Sequence, residues 1–203
     1  YDTSEQQYRD NGDGTVTDLV TGLMWIKDPG EKITWEEAME GAASCGVGGY
    51  DDWRMPTIKE LYSLIQFSGT DPSGPNPVNL IPFIDTDYFV FLYGDTLSGE
   101  RIIDSQYWSS TVYSGLTMGG DSTAFGVNFA DGRIKGYPRD EVGSPGMDFQ
   151  MNSFVKYVRG DGYGPCQFID NGDGTVTDIA AGLMWQQADD GQGRNWQEAL
   201  CYA

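Results

Sequence analysis

The chain contains no histidine, and its basic residues are few. Lys and Arg number 12 against 31 Asp and Glu, a net charge of −19 over 203 residues. Without histidine the Ser-His-Asp and Cys-His constellations are excluded, along with the commonest transition-metal ligand and the usual general base. The acidic excess repels phosphate backbones, so nucleic acid is not an expected partner. No apolar run approaches the roughly 20 residues needed to cross a bilayer, so membrane insertion is not expected. Cysteine is also sparse. Cys45, Cys166 and Cys201 lack the CxxC spacing of zinc or thioredoxin-like sites.

Glycine (28 residues) and aromatics (13%) are plentiful, which suits a loop-rich globular protein rather than a disordered one. The dominant feature is a repeat. Asp10 to Trp25, DNGDGTVTDLVTGLMW, returns at Asp170 to Trp185 as DNGDGTVTDIAAGLMW; only Leu19, Val20 and Thr21 are replaced. The spacing is that of a whole domain rather than of a solenoid. The expected organisation is a flexible lead over 1–7, a complete domain over 8–160, a linker over 161–165, and an incomplete second copy over 166–203. By the template of the first copy, the second holds a hairpin, a strand and the start of a helix, and is expected to dock elsewhere rather than fold as an independent domain.

Within the first copy, Tyr8–Asp10 and Thr15–Asp18 read as strands around an Asn-Gly/Asp-Gly turn, and 21–25 as a third strand. Thr34 with Glu37, and Thr57 with Glu60, form capping boxes that open two helices. The first has an apolar face of Trp35, Ala38, Met39 and Ala42, the second of Ile58, Leu61, Leu64 and Ile65. Residues 70–82 form a proline-rich loop, a common place for function. Residues 83–93 suit a short helix or strand. Residues 107–113, 123–129 with 133–137, and 153–159 read as strands.

Candidate sites are few. Asp10, Asp13 and Asp18, with Asp170, Asp173 and Asp178 in the second copy, offer hard oxygen donors for calcium around a glycine-rich turn. The alternative reading is a tight hairpin whose Asp and Asn side chains bond their own backbone. Cys166 and Cys201 fall where the first copy has no cysteine, so a Cys166–Cys201 disulfide is expected, with two separate thiols as the alternative. Arg54 reads as a buried structural arginine paired with Asp52 or Glu60 and packed on Trp53, and Trp25, Trp53 and Trp108 as core residues rather than sugar-stacking platforms. Ser109-Ser110-Thr111 has no partner base, and the Asp85/Asp87 pair has no sequence signal placing it across a cleft, so an enzyme is the weakest reading.

The ordered motifs DNGDGTVTD, TGLMW, TWEEAM, DWRMPTIKEL, YWSST, VNFADGR and KYVRG resemble the bacterial domain family typified by the C-terminal domain of the Legionella collagen-like adhesin. That resemblance implies an α+β, C-type-lectin-like fold: two helices with small antiparallel β-sheets and neighbouring terminal strands, plus here the partial second copy. It also implies a secreted or cell-surface module, its signal peptide removed, that binds a glycan or matrix protein without catalysis. The alternative is a structural subunit of a fibre or surface array, bound to copies of itself through 166–203. Two departures stand out. The adhesin recognises sulfated glycans through a basic surface, and this chain is acidic. Relatives also carry a cysteine in the terminal strand paired with one at the end of the first helix; here Cys45 remains and the strand position is Tyr157. The calcium-dependent sugar motifs of animal C-type lectins are missing; Gly74-Pro75-Asn76-Pro77 resembles one only faintly, with no WND after it.

Overall fold

The computed structural model describes residues 7–72, 79–117, 120–139 and 151–202. The lead over 1–6 and the centre of the proline-rich loop, with Gly74–Pro77, lie outside them. The chain divides into two compact units, Tyr1–Tyr163 and Gly164–Ala203.

In the first unit, β1 (Tyr8–Asp10) pairs with β2 (Thr15–Asp18) in the register Tyr8↔Asp18 and Asp10↔Val16. The turn between them needs positive φ at Gly12 (77°) and Gly14 (87°), which glycine adopts without a Cβ penalty. β3 is Met24–Ile26. It starts later than the sequence predicts because Thr21-Gly22 completes a turn, with Gly22 N–H donating to the Asp18 carbonyl at 2.9 Å. The sheet order is β1-β2-β3-β7, where β7 (Val158–Arg159) lies antiparallel to β3 with Trp25 opposite Val158. The first and last strands of the unit therefore belong to one sheet, as its two edges.

Both capping boxes form. Thr34 accepts from the Glu37 amide and opens α1 (Trp35–Gly41); Thr57 accepts from the Glu60 amide and opens α2 (Ile58–Tyr62). Each helix is short, because a 3₁₀ turn over 42–44 follows α1 and the α2 chain unwinds after Ser63. Met39, expected on the buried face of α1, is exposed; Ala38 and Ala42 alone of that face are buried, and Trp35 is half-buried. The stretch 83–93 forms neither helix nor strand but a series of turns that places Ile84 and Phe89 in the core. A second sheet holds β4 (Gln106–Thr117), β5 (Asp121–Asn128) and β6 (Arg133–Pro138) in that order, with register shifts along β4 between Trp108 and Leu116.

Segment 153–159 runs between two apolar clusters, so both of its faces are buried. Phe154 and Val158 enter a cluster with Tyr8, Val16, Leu23, Trp25, Leu61, Leu64 and Tyr107. Val155 and Tyr157 enter another with Ala38, Trp53, Met55 and Trp108. Trp25, Trp53 and Trp108 are thus core side chains, and the latter two donate to the carbonyls of Val47 and Ile33.

The second unit repeats the opening of the first. β8 (Phe168–Asp170), β9 (Thr175–Asp178) and β10 (Leu183–Gln186) form a three-stranded sheet in the order β10-β9-β8. α3 (Trp196–Tyr202) starts at Asn195, which exchanges hydrogen bonds with Glu198.

Candidate functional site

The aspartates proposed as calcium ligands are occupied by their own turns. Asp10 accepts from the Gly12 amide and from Lys27, Asp13 from the amide and hydroxyl of Thr15, and Asp18 from the amides of Val20 and Thr21. In the second unit Asp170, Asp173 and Asp178 repeat the pattern with Gly172, Thr175 and Ala180. Among the described residues no three acidic, histidine or cysteine side chains converge as a cation cage. The turn reading accounts for these residues, and the calcium reading finds no geometry to rest on.

Cys166 and Cys201 are not joined, and both are exposed. The Cys166 side chain instead hydrogen-bonds to Asp178, which helps hold that carboxylate below its ordinary range after the Gln167 amide. The disulfide expectation finds no support in this arrangement.

Arg54 is placed by mutual backbone bonds with Val158 (3.0 and 2.9 Å). Its guanidinium donates to both oxygens of Glu60 at 2.8 and 2.7 Å. Glu60 is fully buried, and it also accepts from the amides of Thr57 and Tyr163. Burial pulls the Glu60 carboxyl upward, but these donors outweigh it and hold the group below the ordinary range. This cluster ties α2 to the end of the domain and commits the two-pronged face of the guanidinium to Glu60.

A cavity of about 350 Å³ is bordered by Gly30, Glu31, Lys32, Leu92, Tyr93, Asp95, Glu100 and Phe154. Its first wall is the loop after β3, pinned where Ile33 and Ser153 exchange backbone hydrogen bonds at 3.0 and 2.9 Å. Its second wall is 92–105, closed by Gly94 N–H to the Ile102 carbonyl at 3.1 Å and by Asp95, which caps the turn over 96–98. Gly94 is required there, since a Cβ would sit 1.9 Å from the Arg101 carbonyl oxygen. Gly94→Ala is expected to cost about 1–3 kcal/mol and to speed hydrogen exchange across 94–102, measured by mass spectrometry.

Lys32 reaches from the first wall to the second. Its ammonium lies 2.6 Å from both oxygens of Glu100, 2.7 Å from the Asp104 carbonyl, and 5.3 Å from the centre of the Phe154 ring. All the donors of this cation are engaged. The Lys32 ammonium, then the Asp95 amide, keep Glu100 ionised well below the usual carboxylate range. Asp95 is depressed by the Ser98 hydroxyl and neighbouring amides. Burial raises the Tyr93 hydroxyl, which has no hydrogen-bond partner among the described residues, and Leu92 and Phe154 supply apolar surface. The site therefore offers two rim carboxylates and an apolar and aromatic wall, with the Tyr93 hydroxyl buried beside it, but no free cation. No sequence motif marks it, because its residues come from three segments joined only by folding.

A family model for the Lcl C-terminal domain matches residues 14–144. The chain belongs to the Lcl C-terminal domain family. No curated protein and no solved structure matches the chain. The match omits β1 and β7, yet both are hydrogen-bonded into the first sheet of this Lcl C-terminal domain. Helices and several small antiparallel sheets make it an α+β protein, and among the described residues no helix is long and apolar enough to cross a membrane.

Proposed function

We propose that this Lcl C-terminal domain is a surface-exposed or secreted adhesion module that binds its ligand without catalysis, at the cavity between 30–32 and 92–100. Membership in the domain family of a collagen-like adhesin supports a surface role. The observation that carries the choice of site and ligand is Lys32, whose ammonium is consumed by Glu100 and the Asp104 carbonyl in a cavity otherwise lined by acidic, hydroxylic and aromatic groups. A sulfated glycan would have to displace Glu100 from Lys32, against a net charge of −19. A neutral sugar, or a cationic segment of a matrix protein, would meet Tyr93, Phe154, Glu31 and Asp95 without that cost.

A C-type-lectin-like arrangement is part of this reading. It is supported by two capped helices, two small antiparallel sheets in the first unit, and first and last strands in one sheet. The non-enzymatic reading is supported by the serines and aspartates that could have been catalytic. Ser109 donates to the Phe125 carbonyl, Ser110 to Pro56, and Asp85 accepts from the Asp87 amide. A second reading, a subunit of a fibre or surface array, draws on the apolar side chains exposed along the second unit.

A glycan and matrix-protein array probed with the full chain tests the proposal. Neutral or basic ligands are expected to be retained, and Glu31→Lys, at an exposed position of the rim, to reduce retention of the basic ones roughly tenfold or more. Retention on sulfated glycans alone would overturn it.

A further inference from the structure

The groups that surround the Lys32 ammonium match its three N–H donors one for one. Both Glu100 oxygens lie 2.6 Å from the nitrogen and the Asp104 carbonyl lies at 2.7 Å. The face of the Phe154 ring meets the same charge, its centre 5.3 Å away. Other parts of the chain hold these acceptors in place. The Asp95 amide donates to Glu100 at 2.7 Å, and the Asp104 amide to the Arg101 carbonyl at 2.8 Å. Phe154 is fixed by backbone bonds with Gln106 and Trp108. The seat is also reachable. The Glu100 side chain is 34% exposed against 18% for Lys32, and both border the cavity.

We infer that this seat is a binding site for a primary ammonium group of a partner, the lysine side chain of a protein, and that Lys32 is its built-in competitor. The inference rests on the cavity reading above and narrows it to ligands that end in a free ammonium. A quaternary ammonium has no N–H for the three acceptors. A guanidinium fits no better, because all three acceptors surround one nitrogen and each guanidinium nitrogen carries at most two N–H groups.

An ion pair as exposed as this one contributes little on balance, so exchanging one ammonium for another costs little beyond the tether. The tether lets Lys32 act at an effective concentration of about millimolar or more. A dilute free amine therefore leaves it in place, and a ligand carrying several lysines competes better.

Removing the competitor from the full chain tests this without an identified ligand. Lys32→Ala deletes the equivalent of a propylammonium ion, and is expected to lower the thermal midpoint and speed hydrogen exchange over 94–104. Propylammonium chloride at tens of millimolar is expected to raise that midpoint again by about 2–4 °C. Tetramethylammonium chloride at the same concentration should not, and Lys32→Ala with Glu100→Gln should recover with neither. No recovery in Lys32→Ala, an equal response to both salts, or recovery in the double variant would overturn the inference.

Should Lys32→Ala not fold, Lys32→Met carries the test with oligolysine in titration calorimetry. It is expected to bind oligolysine roughly tenfold more tightly than the unaltered chain. Lys32→Met with Glu100→Gln, which has the net charge of the unaltered chain, is expected to bind more weakly than that chain. Equal binding by those two would make Glu100 a bystander and overturn the inference. Recovery with propylammonium but no oligolysine binding would uphold the seat and overturn the choice of a cationic ligand for the adhesion site.

Discussion

Stability of this chain is expected to rise with pH between about 7 and 10, and Lys156→Met to abolish the rise. Lys156 is fully buried on the 153–159 segment, with its ammonium beside the Ile26 and Lys27 carbonyls and 5.0 Å from the centre of the Phe89 ring. Burial lowers its pKa from 10.5 to about 7, against a smaller opposing pull from Asp28. Above pH 7 the folded chain holds this amine neutral, while the unfolded chain keeps its proton up to the ordinary value. The folded state thus binds fewer protons in that window, and stability climbs with pH. Below pH 7 both states are protonated and the full penalty of the buried charge persists. The gain by pH 10 is at most about 4 kcal/mol. Above that, the buried hydroxyls of Tyr8, Tyr107 and Tyr137, raised chiefly by burial, reverse the trend because only the unfolded chain ionises them. Urea titrations at several pH values check this. In Lys156→Met the midpoint should be flat between pH 7 and 9.5, with the Lys27 carbonyl still satisfied by the Val90 amide.

The second large effect belongs to Arg54→Met. It leaves Glu60, fully buried, with two backbone amides and no countercharge. Breaking one partner out of a buried pair costs several kcal/mol. About 3 kcal/mol is expected here, the low end, because Arg54 keeps 35% of its side chain in solvent. The cost should depend on acidity. In the native chain the Glu60 carboxyl is held below its ordinary range, so its contribution is present above that range and is lost as pH falls through the depressed value. In the variant the pull of burial is no longer balanced by the guanidinium, and Glu60 takes a proton more readily. The gap between the two proteins in urea denaturation should be wide at pH 7 and narrow near pH 4. Arg54→Lys should recover part of it, since an ammonium cannot make the two-pronged contact. A gap of the same size at both pH values would show that lost packing, rather than an unpaired charge, sets the cost.

These two residues mark where the sequence was legible and where it was not. Both capping boxes and the Asn-Gly/Asp-Gly hairpin were readable because each is decided within a few residues. Glu60 reads from sequence as the acidic member of its capping box, a surface role. The sequence offered it to Arg54 as one of two partners, but only folding brings the Tyr163 amide to it and buries it. Lys156 alternates with Phe154 and Val158 and shares their buried face, but the segment is covered on its other face too, by the cluster around Trp53 and Trp108. A period of two cannot report burial on both faces. Residues 83–93 show the reverse failure. Their aromatic content suggests regular structure, yet they are turns that deliver single side chains to the core. The cavity was invisible because Lys32, Glu100 and Phe154 are brought together from distant parts of the chain.

The central claim is that the acidic Lcl C-terminal domain takes neutral or cationic ligands at a cavity whose lysine is already paired. The most direct measurement is hydrogen exchange of the full chain with a neutral oligosaccharide, an oligolysine peptide and a sulfated polysaccharide, each added separately at physiological ionic strength. Protection of 30–32 and 92–100 by the oligosaccharide or the oligolysine, with none from the sulfated polymer, is the expected result. Protection of those segments by the sulfated polymer alone would contradict the account, because it would mean that Lys32 releases Glu100 to take an anion.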